Sequence, residues 1–187
     1  MARAGLTAER LTRAAADLAD EAGFENVTIS ALARRFGVKD ASLYSHVKNL
    51  HDLKTRVAVR ALTDLADRAA AALAGRAGKD ALAAFAGAYR DFAKEHPGMY
   101  AAARFPLDPE TPGAGAARRH SELTRAILHG YDLEEPDETD AVRLLGSMFH
   151  GYVSLEAAGA FSNHPRHVDA SWSRAIDALD AALRNWP

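Results

Sequence analysis

An all-α fold is expected from three features of this sequence. Alanine, the best helix former, supplies 42 of the 187 residues. β-Branched residues are sparse, and strand-like alternation over five or more residues is hard to find. Apolar positions recur instead at spacings of three and four, the period of one helix face. The length suits one large or two small domains, enough to bury a sizeable core without covalent staples.

Each element has its own local justification. Thr7 can cap a first helix with Leu11, Ala15, Leu18 and Ala22 on one face, and Gly23 offers the left-handed residue that ends it. Phe24 and Val27 straddle a short connector. Thr28 can cap a second helix carrying Ile29, Leu32, Ala33 and Phe36, closed by Gly37. A third, short helix can start near Asp40 with Leu43 and Val47 turned inward. Asn49 can cap a long fourth helix, with Leu50, Leu53, Val57, Ala61, Leu65 and Leu73, which breaks at residues 74–78.

Beyond the break, a helix from about Asp80 to Glu95 stops before Pro97, because proline pushes its predecessor out of helical geometry. A short helix is expected over Met99 to Arg104, and then a loop over residues 105–113 with three prolines and a glycine. Further helices are expected over about Ala114 to His129 and Asp137 to Ala158. After a turn at residues 162–165, a last helix presents Trp172, Ile176, Leu179, Leu183 and Trp186.

Composition excludes several classes of function. With no cysteine there is no disulfide, no Cys-ligated zinc, no iron–sulfur cluster and no thiol nucleophile. No apolar run approaches the roughly 20 residues that span a bilayer. The opening residues Met1 to Thr7 run straight into a polar periodic segment, so no secretory leader and a cytoplasmic location are expected. His164 and His167 lie three apart in a proline turn without a carboxylate cluster, so no metal is expected. No Gly-rich phosphate loop, nucleophile elbow or paired-carboxylate motif is present, so neither catalysis nor a cofactor is expected. The net charge of −2 divides unevenly, +3 over residues 1–60 and −5 over the rest. That division suits an anion-binding head on an acidic body.

Residues 28–49 read as a helix-turn-helix. Ala33 is small where two helices must cross closely, Gly37 accepts positive φ in a tight turn, and Val38 and Leu43 plug the angle between the helices. The outer face of the second helix then offers donors and small side chains to a major groove.

With Phe36-Gly37-Val38 followed seven residues on by Leu43-Tyr44-Ser45-His46-Val47-Lys48-Asn49, residues 7–65 resemble the N-terminal domain of the tetracycline-repressor (TetR) family of bacterial transcriptional regulators. The resemblance implies a homodimer whose first three helices bind double-stranded DNA and whose C-terminal domain dimerises and holds a small-molecule inducer. It divides the chain into a DNA-binding domain over 1–49, a linking helix over 49–74 and a ligand-binding and dimerisation domain over 75–187. Carried over by position, Thr28 caps the second helix and donates to a phosphate. Lys39, Asp40, Ala41 and Ser42 lie nearest the base edges. Tyr44 and His46 contact the backbone, Ser45 reaches a base, and Lys48 adds a phosphate contact.

Other readings stay open at three of these positions. Tyr44 could pack in the core, His46 could be a neutral packed histidine, and Asp40 could either accept from a cytosine amino group or cap its helix; the cap is the preferred reading. Leu50 departs from the family, which commonly carries Lys there; that removes a phosphate contact.

Residues 88–101 and 148–161 resemble a C-terminal subgroup named for a Trp-His-Gly signature, with Phe149 in place of the tryptophan. Tyr89, Phe92, Met99, Tyr100, Phe105, Phe149, His150 and Tyr152 are the candidate ligand-pocket residues, aromatic and polar side chains mixed on inward faces. Such a pocket suits a neutral or weakly polar inducer. Leu144, Leu145, Met148 and Tyr152 can face Trp172, Ile176, Leu179 and Leu183 across a dimer. The expected protein is a ligand-responsive regulator, a repressor on a palindromic operator at the bacterial nucleoid. The alternative is a small-molecule-binding helical module whose DNA head is vestigial. A helical enzyme using His120, His129 or His150 is a third possibility that nothing in the spacing recommends.

Overall fold

The computed structural model describes residues 5–108, 110–113 and 115–187, and among them it shows helices and turns with no strand. The long helices are α1 (Ala8–Ala22), α2 (Ile29–Phe36), α3 (Leu50–Leu73), α4 (Gly78–Glu95), α6 (Gly115–Leu128), α7 (Asp137–Ala157) and α8 (Val168–Arg184), with a short α5 (Pro97–Ala102). Loop residue Pro109 and the expected helix start at Ala114 lie outside the described residues, as do residues 1–4 of the opening segment. No helix among the described residues is long and apolar enough to cross a membrane.

The chain forms two compact units: one holds residues 1–64 and 95–117, the other 65–94 and 118–187. The boundary falls within α3, and the segment after α4 returns to the first unit.

In the first unit, local chemistry sets the ends of the helices. Thr7 accepts the Arg10 N–H at 3.1 Å, and Thr28 accepts the Ala31 N–H at 3.1 Å. Asn49 accepts the Asp52 N–H at 2.9 Å while Asp52 accepts the Lys48 N–H at 2.9 Å, a reciprocal cap at the start of α3. Gly37 adopts φ 65° and ψ 34°, and the Val38 N–H reaches the Ala33 carbonyl at 3.0 Å, closing α2. The core is Leu11, Val27, Leu32, Leu43, Val47, Leu53 and Val57, all fully or nearly fully buried.

The buried face of α1 is not the expected one. Leu11 and Ala15 are buried, but Ala14, Ala16 and Ala19 join them, while Leu18 is half-buried and Ala22 exposed. The cause is α5, which packs against α1 at very short range. A Cβ on Gly98 would lie 1.9 Å from the Ala19 carbonyl oxygen and 2.6 Å from the Asp20 nitrogen. Proline also does more than end a helix here: Pro97 opens α5 at its first turn, where a missing N–H costs nothing. The Met99 N–H left over at that end is accepted by Asp20 Oδ1 of α1 at 2.8 Å, and Asp20 Oδ2 meets His96 Nδ1 at 2.7 Å. One carboxylate thus caps α5 from a different helix.

The second unit packs α4, α6, α7, α8 and the later part of α3 around Leu82, Phe85, Leu128, Leu145, Phe149, Ile176 and Leu183. The buried Arg90 guanidinium lies 5.3 Å over the Trp172 ring and bonds Glu156 at 2.6 and 2.7 Å and Asp169 at 2.7 Å. That pairing raises the arginine pKa and holds the Glu156 carboxyl below its ordinary range. Tyr131 donates to Asp180 at 2.8 Å, beside Arg184.

The tight crossing of α1 and α5 makes a direct stability test. Gly98→Ala forces the two backbones apart and should cost about 3 kcal/mol, the upper part of the overpacking range, seen as a lower urea midpoint with an unchanged slope. An unchanged midpoint would mean that α5 does not sit against α1 at this distance.

Candidate nucleic-acid interface

The segment between α2 and α3 does not close into a regular α-helix. Lys39 is extended, residues 40–42 form one 3-10 turn, and tight turns continue through His46. A single bond of α-helical span, from the Val47 N–H to the Leu43 carbonyl at 3.1 Å, closes it. The expected third helix is therefore a compact turn structure starting at Asp40. Burial holds it down, since Leu43 and Val47 are 0% and 2% exposed.

The expectation that Asp40 caps this element is corrected. The residue at its N-cap is Lys39, and no side chain caps it. Asp40 instead accepts the Ser30 hydroxyl at 2.5 Å, a cross-link from the turn to α2. The short turn brings the carboxylate back over the outer face of α2, and Ser30, exposed on that face, supplies the donor. The sequence reading missed Ser30; its place two residues after Thr28 on the polar side of α2 was the available signal.

The other DNA-contact candidates fall on one continuous stretch. Thr28, Lys39, Ala41, Ser42, Tyr44, Ser45 and Lys48 are exposed, and His46 is half-buried. Tyr44 is 53% exposed, which removes the reading of it as a core residue. With one lone pair engaged by the Ala31 N–H, the Thr28 hydroxyl keeps its proton for an acceptor outside. The Ser45 hydroxyl is turned inward to the Ser42 carbonyl at 2.9 Å, leaving acceptor capacity on its oxygen.

The supports lie behind this surface. Arg35 forms two bonds to Glu21, at 2.6 and 3.0 Å, fastening α2 to α1 and keeping the Glu21 carboxyl below its usual range. Lys54 lies 5.0 Å over the Phe24 ring, which meets Phe105 edge-on at 5.7 Å. His51 packs on the same Phe105 at 5.3 Å.

The ligand candidates fall in both units. Met99, Tyr100 and Phe105 belong to the first unit, and Tyr89, Phe92, Phe149, His150 and Tyr152 to the second. Tyr89, Phe92 and Phe149 are buried there, and Phe149 packs on Tyr89 at 5.9 Å and on Trp172 at 6.1 Å. His150 is half-buried near Ser154. Tyr152 borders a cavity of about 400 Å³ with Phe161, His164, Arg166, Val168 and Ser171. A second cavity, about 410 Å³, opens among Leu73, Arg76, Ala81, Leu123, Ile127 and His129, none of them expected. Among the described residues no group of three histidines or carboxylates is placed to hold a metal ion.

The stripe expected at the dimer face is also corrected. Leu145, Trp172, Ile176, Leu179 and Leu183 are buried within the protomer's own second unit, because the clean apolar face of α8 is what its core needs. Among the described residues, the large apolar side chains left exposed in this unit are Leu144 and Leu155 of α7.

A tight-turned helix-turn-helix, sealed beneath and polar above, on an all-helical chain is the form of a bacterial DNA-binding regulator. Comparison with known proteins bears this out. Residues 11–49 match the family described as bacterial regulatory proteins, tetR family, and residues 82–179 match the tetracyclin repressor-like C-terminal domain. An uncharacterized HTH-type transcriptional regulator of Mycobacterium tuberculosis, Rv0681, is 37% identical over 162 residues, 86% of this chain and 74% of that protein. A protein of unknown function from Rhodococcus sp. RHA1 shares the fold with a TM-score of 0.80 at 23% identity, over 96% of each chain. A TetR variant from Acinetobacter baumannii AYE, solved in complex with minocycline, superposes with a TM-score of 0.71 at 21% identity, over 97% of this chain and 98% of that one. The chain belongs to the TetR family of transcriptional regulators. The family implies DNA binding and dimerisation, and its members are regulators rather than enzymes.

The geometry separates residues that hold the interface from residues that only stand on it. Thr28→Ala should cost about 1 kcal/mol through the lost cap, whereas Tyr44→Ala should change stability by less than about 0.5 kcal/mol, as surface substitutions do. Thermal unfolding of the two variants checks both; a large loss for Tyr44→Ala would place its ring in the core.

Proposed function

We propose that this regulator is a ligand-responsive repressor that binds a palindromic operator as a homodimer and is released by a small, mostly apolar inducer. The observation that carries the reading is the exposed Tyr44, standing with Lys39, Ala41, Ser42, Ser45 and Lys48 over a turn pinned by Leu43 and Val47. In this reading Thr28, Tyr44, His46 and Lys48 meet phosphates while Lys39, Ala41, Ser42 and Ser45 lie against base edges. Asp40, held by Ser30, orients the turn.

Two such heads must meet successive major grooves about 34 Å apart, which calls for a rigid dimer. The α7 face bearing Leu144, Met148, Gly151 and Leu155 is one stripe at helical spacing, and Ser171, Ala175, Ala178 and Ala182 form a matching stripe of small residues on α8. Large side chains on one helix and small ones on the other support a four-helix packing between protomers. An inducer that prefers a different spacing of the heads lowers operator affinity by that preference. α3, continuous from the head into the second unit, and α5, directly following α4, are the elements that carry the change. This functional division assigns DNA binding to residues 1–49 and ligand binding and dimerisation to 75–187.

Selection of bound duplexes from a random library at physiological salt tests the reading. A palindrome should be enriched by the native protein and lost with Tyr44→Ala; no enrichment would favour a ligand-binding module with a vestigial head. On the selected operator, Lys48→Ala should weaken binding to all sequences alike and lower the salt slope by about one.

The dimer face has its own test. Leu155→Glu buries an unpaired charge in the proposed bundle, so sedimentation at micromolar concentration should show a monomer that no longer selects the palindrome. A stable dimer in this variant would move the interface elsewhere.

A further inference from the structure

Among the described residues, Nδ1 of His120 on α6 is the buried side-chain polar atom that meets no hydrogen-bonding group; its ring lies 5.5 Å from Phe85 and 6.1 Å from Tyr89. Sealed from solvent, that atom is closed to a ligand. The polar groups that a ligand can reach stand at the corner between α7 and α8, around the cavity of about 400 Å³ that Tyr152 borders.

The chain builds this corner locally. The Gly159 N–H bonds the Glu156 carbonyl at 2.9 Å and the Ala160 N–H bonds the Leu155 carbonyl at 2.9 Å, the paired bonds that stop an α-helix. Ser162 then folds back on the Gly159 carbonyl, donating its N–H at 3.1 Å and its hydroxyl at 2.7 Å. Phe161 lies against Tyr152 of α7, with ring centroids 4.9 Å apart and planes inclined at 52°, and both side chains are half-buried. The Tyr152 hydroxyl donates to the Val168 carbonyl at 3.1 Å, tying α7 to the first residue of α8.

The charge at this corner is positive and not neutralised. The cavity walls carry Arg166 and His164 and no carboxylate. Glu156 of α7 and Asp169 of α8 are both held by Arg90, at 2.6 and 2.7 Å. Among the described residues the Arg166 guanidinium meets no carboxylate, and its hydrogen bond is a long one, 3.5 Å to the Ala170 carbonyl. His164 accepts the Arg166 backbone N–H on Nδ1 at 3.2 Å, which leaves Nε2–H as the donor of its ring. Ser171 adds a hydroxyl to the wall.

This set suits a flat apolar body that ends in an anion. The inclined rings take the body by stacking and edge contact, and a guanidinium takes a carboxylate through two parallel N–H bonds. The volume falls in the range of small-molecule sites.

We propose that the cavity at the α7–α8 corner is a binding site for a small aromatic carboxylate, with Arg166 on the carboxylate and Tyr152 and Phe161 on the ring system. The site does not depend on the induction reading above. Ser171 lines the cavity and also heads the α8 stripe proposed to face the second protomer, so the ligand lies at the margin of that face.

Calorimetric titration of the full-length protein with 2-naphthoate and with 2-naphthamide, alike in shape but differing by one charge, tests this. The native protein should prefer 2-naphthoate by about fivefold or more, as a charge-assisted hydrogen bond allows, and the preference should shrink as salt is raised. Arg166→Gln, an exposed change that leaves the packing alone, should bind the two within about twofold of each other once that bond is lost. Phe161→Ala should weaken both by about fivefold through lost ring contact. In the native protein, 2-naphthoate should shift the backbone amide resonances of Phe161 and Ser171 before those of residues outside the corner, which locates the site without a variant. No binding of 2-naphthoate at millimolar concentration, equal affinities, a preference that survives Arg166→Gln, or shifts centred elsewhere would overturn the proposal.

Discussion

Burial of Leu43 and Val47 is the constraint on which the exposed surface of the helix-turn-helix depends. The segment that carries them is a 3-10 turn and further tight turns, with one bond of α-helical span, and such a piece has almost no stability by itself. Two sealed side chains fix its underside, Asp40 ties its start to Ser30 of α2, and the reciprocal cap of Asn49 and Asp52 fixes its exit. With both ends and the base determined, Lys39, Ala41, Ser42, Tyr44, Ser45 and Lys48 are left exposed, and Tyr44 is the largest of them.

The second unit solves a different problem. Four charged or hydroxyl groups, Arg90, Glu156, Tyr131 and Asp180, are drawn into or beside its core, and each has a partner. Buried polar groups paired this well make one arrangement of helices preferable to its neighbours. Against that background the unmet nitrogen of His120 stands out physically, because the protein leaves a desolvation cost there that it offsets elsewhere.

Much of the helical framework follows from local rules, and the failures are instructive. Thr7, Thr28 and Asn49 cap where their side chains can reach the next free N–H, and Gly37 closes α2 in the left-handed conformation. Each is a decision made within four residues of chain. Asp40 defied the same logic, since Ser30, ten residues away, offered a better hydrogen bond than its own helix end. The apolar stripe of α8 was correctly seen as apolar but not as inward, because periodicity identifies a buried face without saying which protein buries it.

The sequence by itself determined the all-helical class, the helix-turn-helix and its family, and the inward turn of Leu43 and Val47, because those rest on spacing, caps and turn chemistry. Only the tertiary structure decided what lies across space: that α5 returns to α1 through Gly98 and Asp20, that the candidate pocket aromatics divide between two units, and that His120 faces the ring cluster without a partner. The reason is the same in each case. A hydrogen bond or a van der Waals contact between residues 79 or 35 positions apart leaves no periodic trace in either stretch of chain.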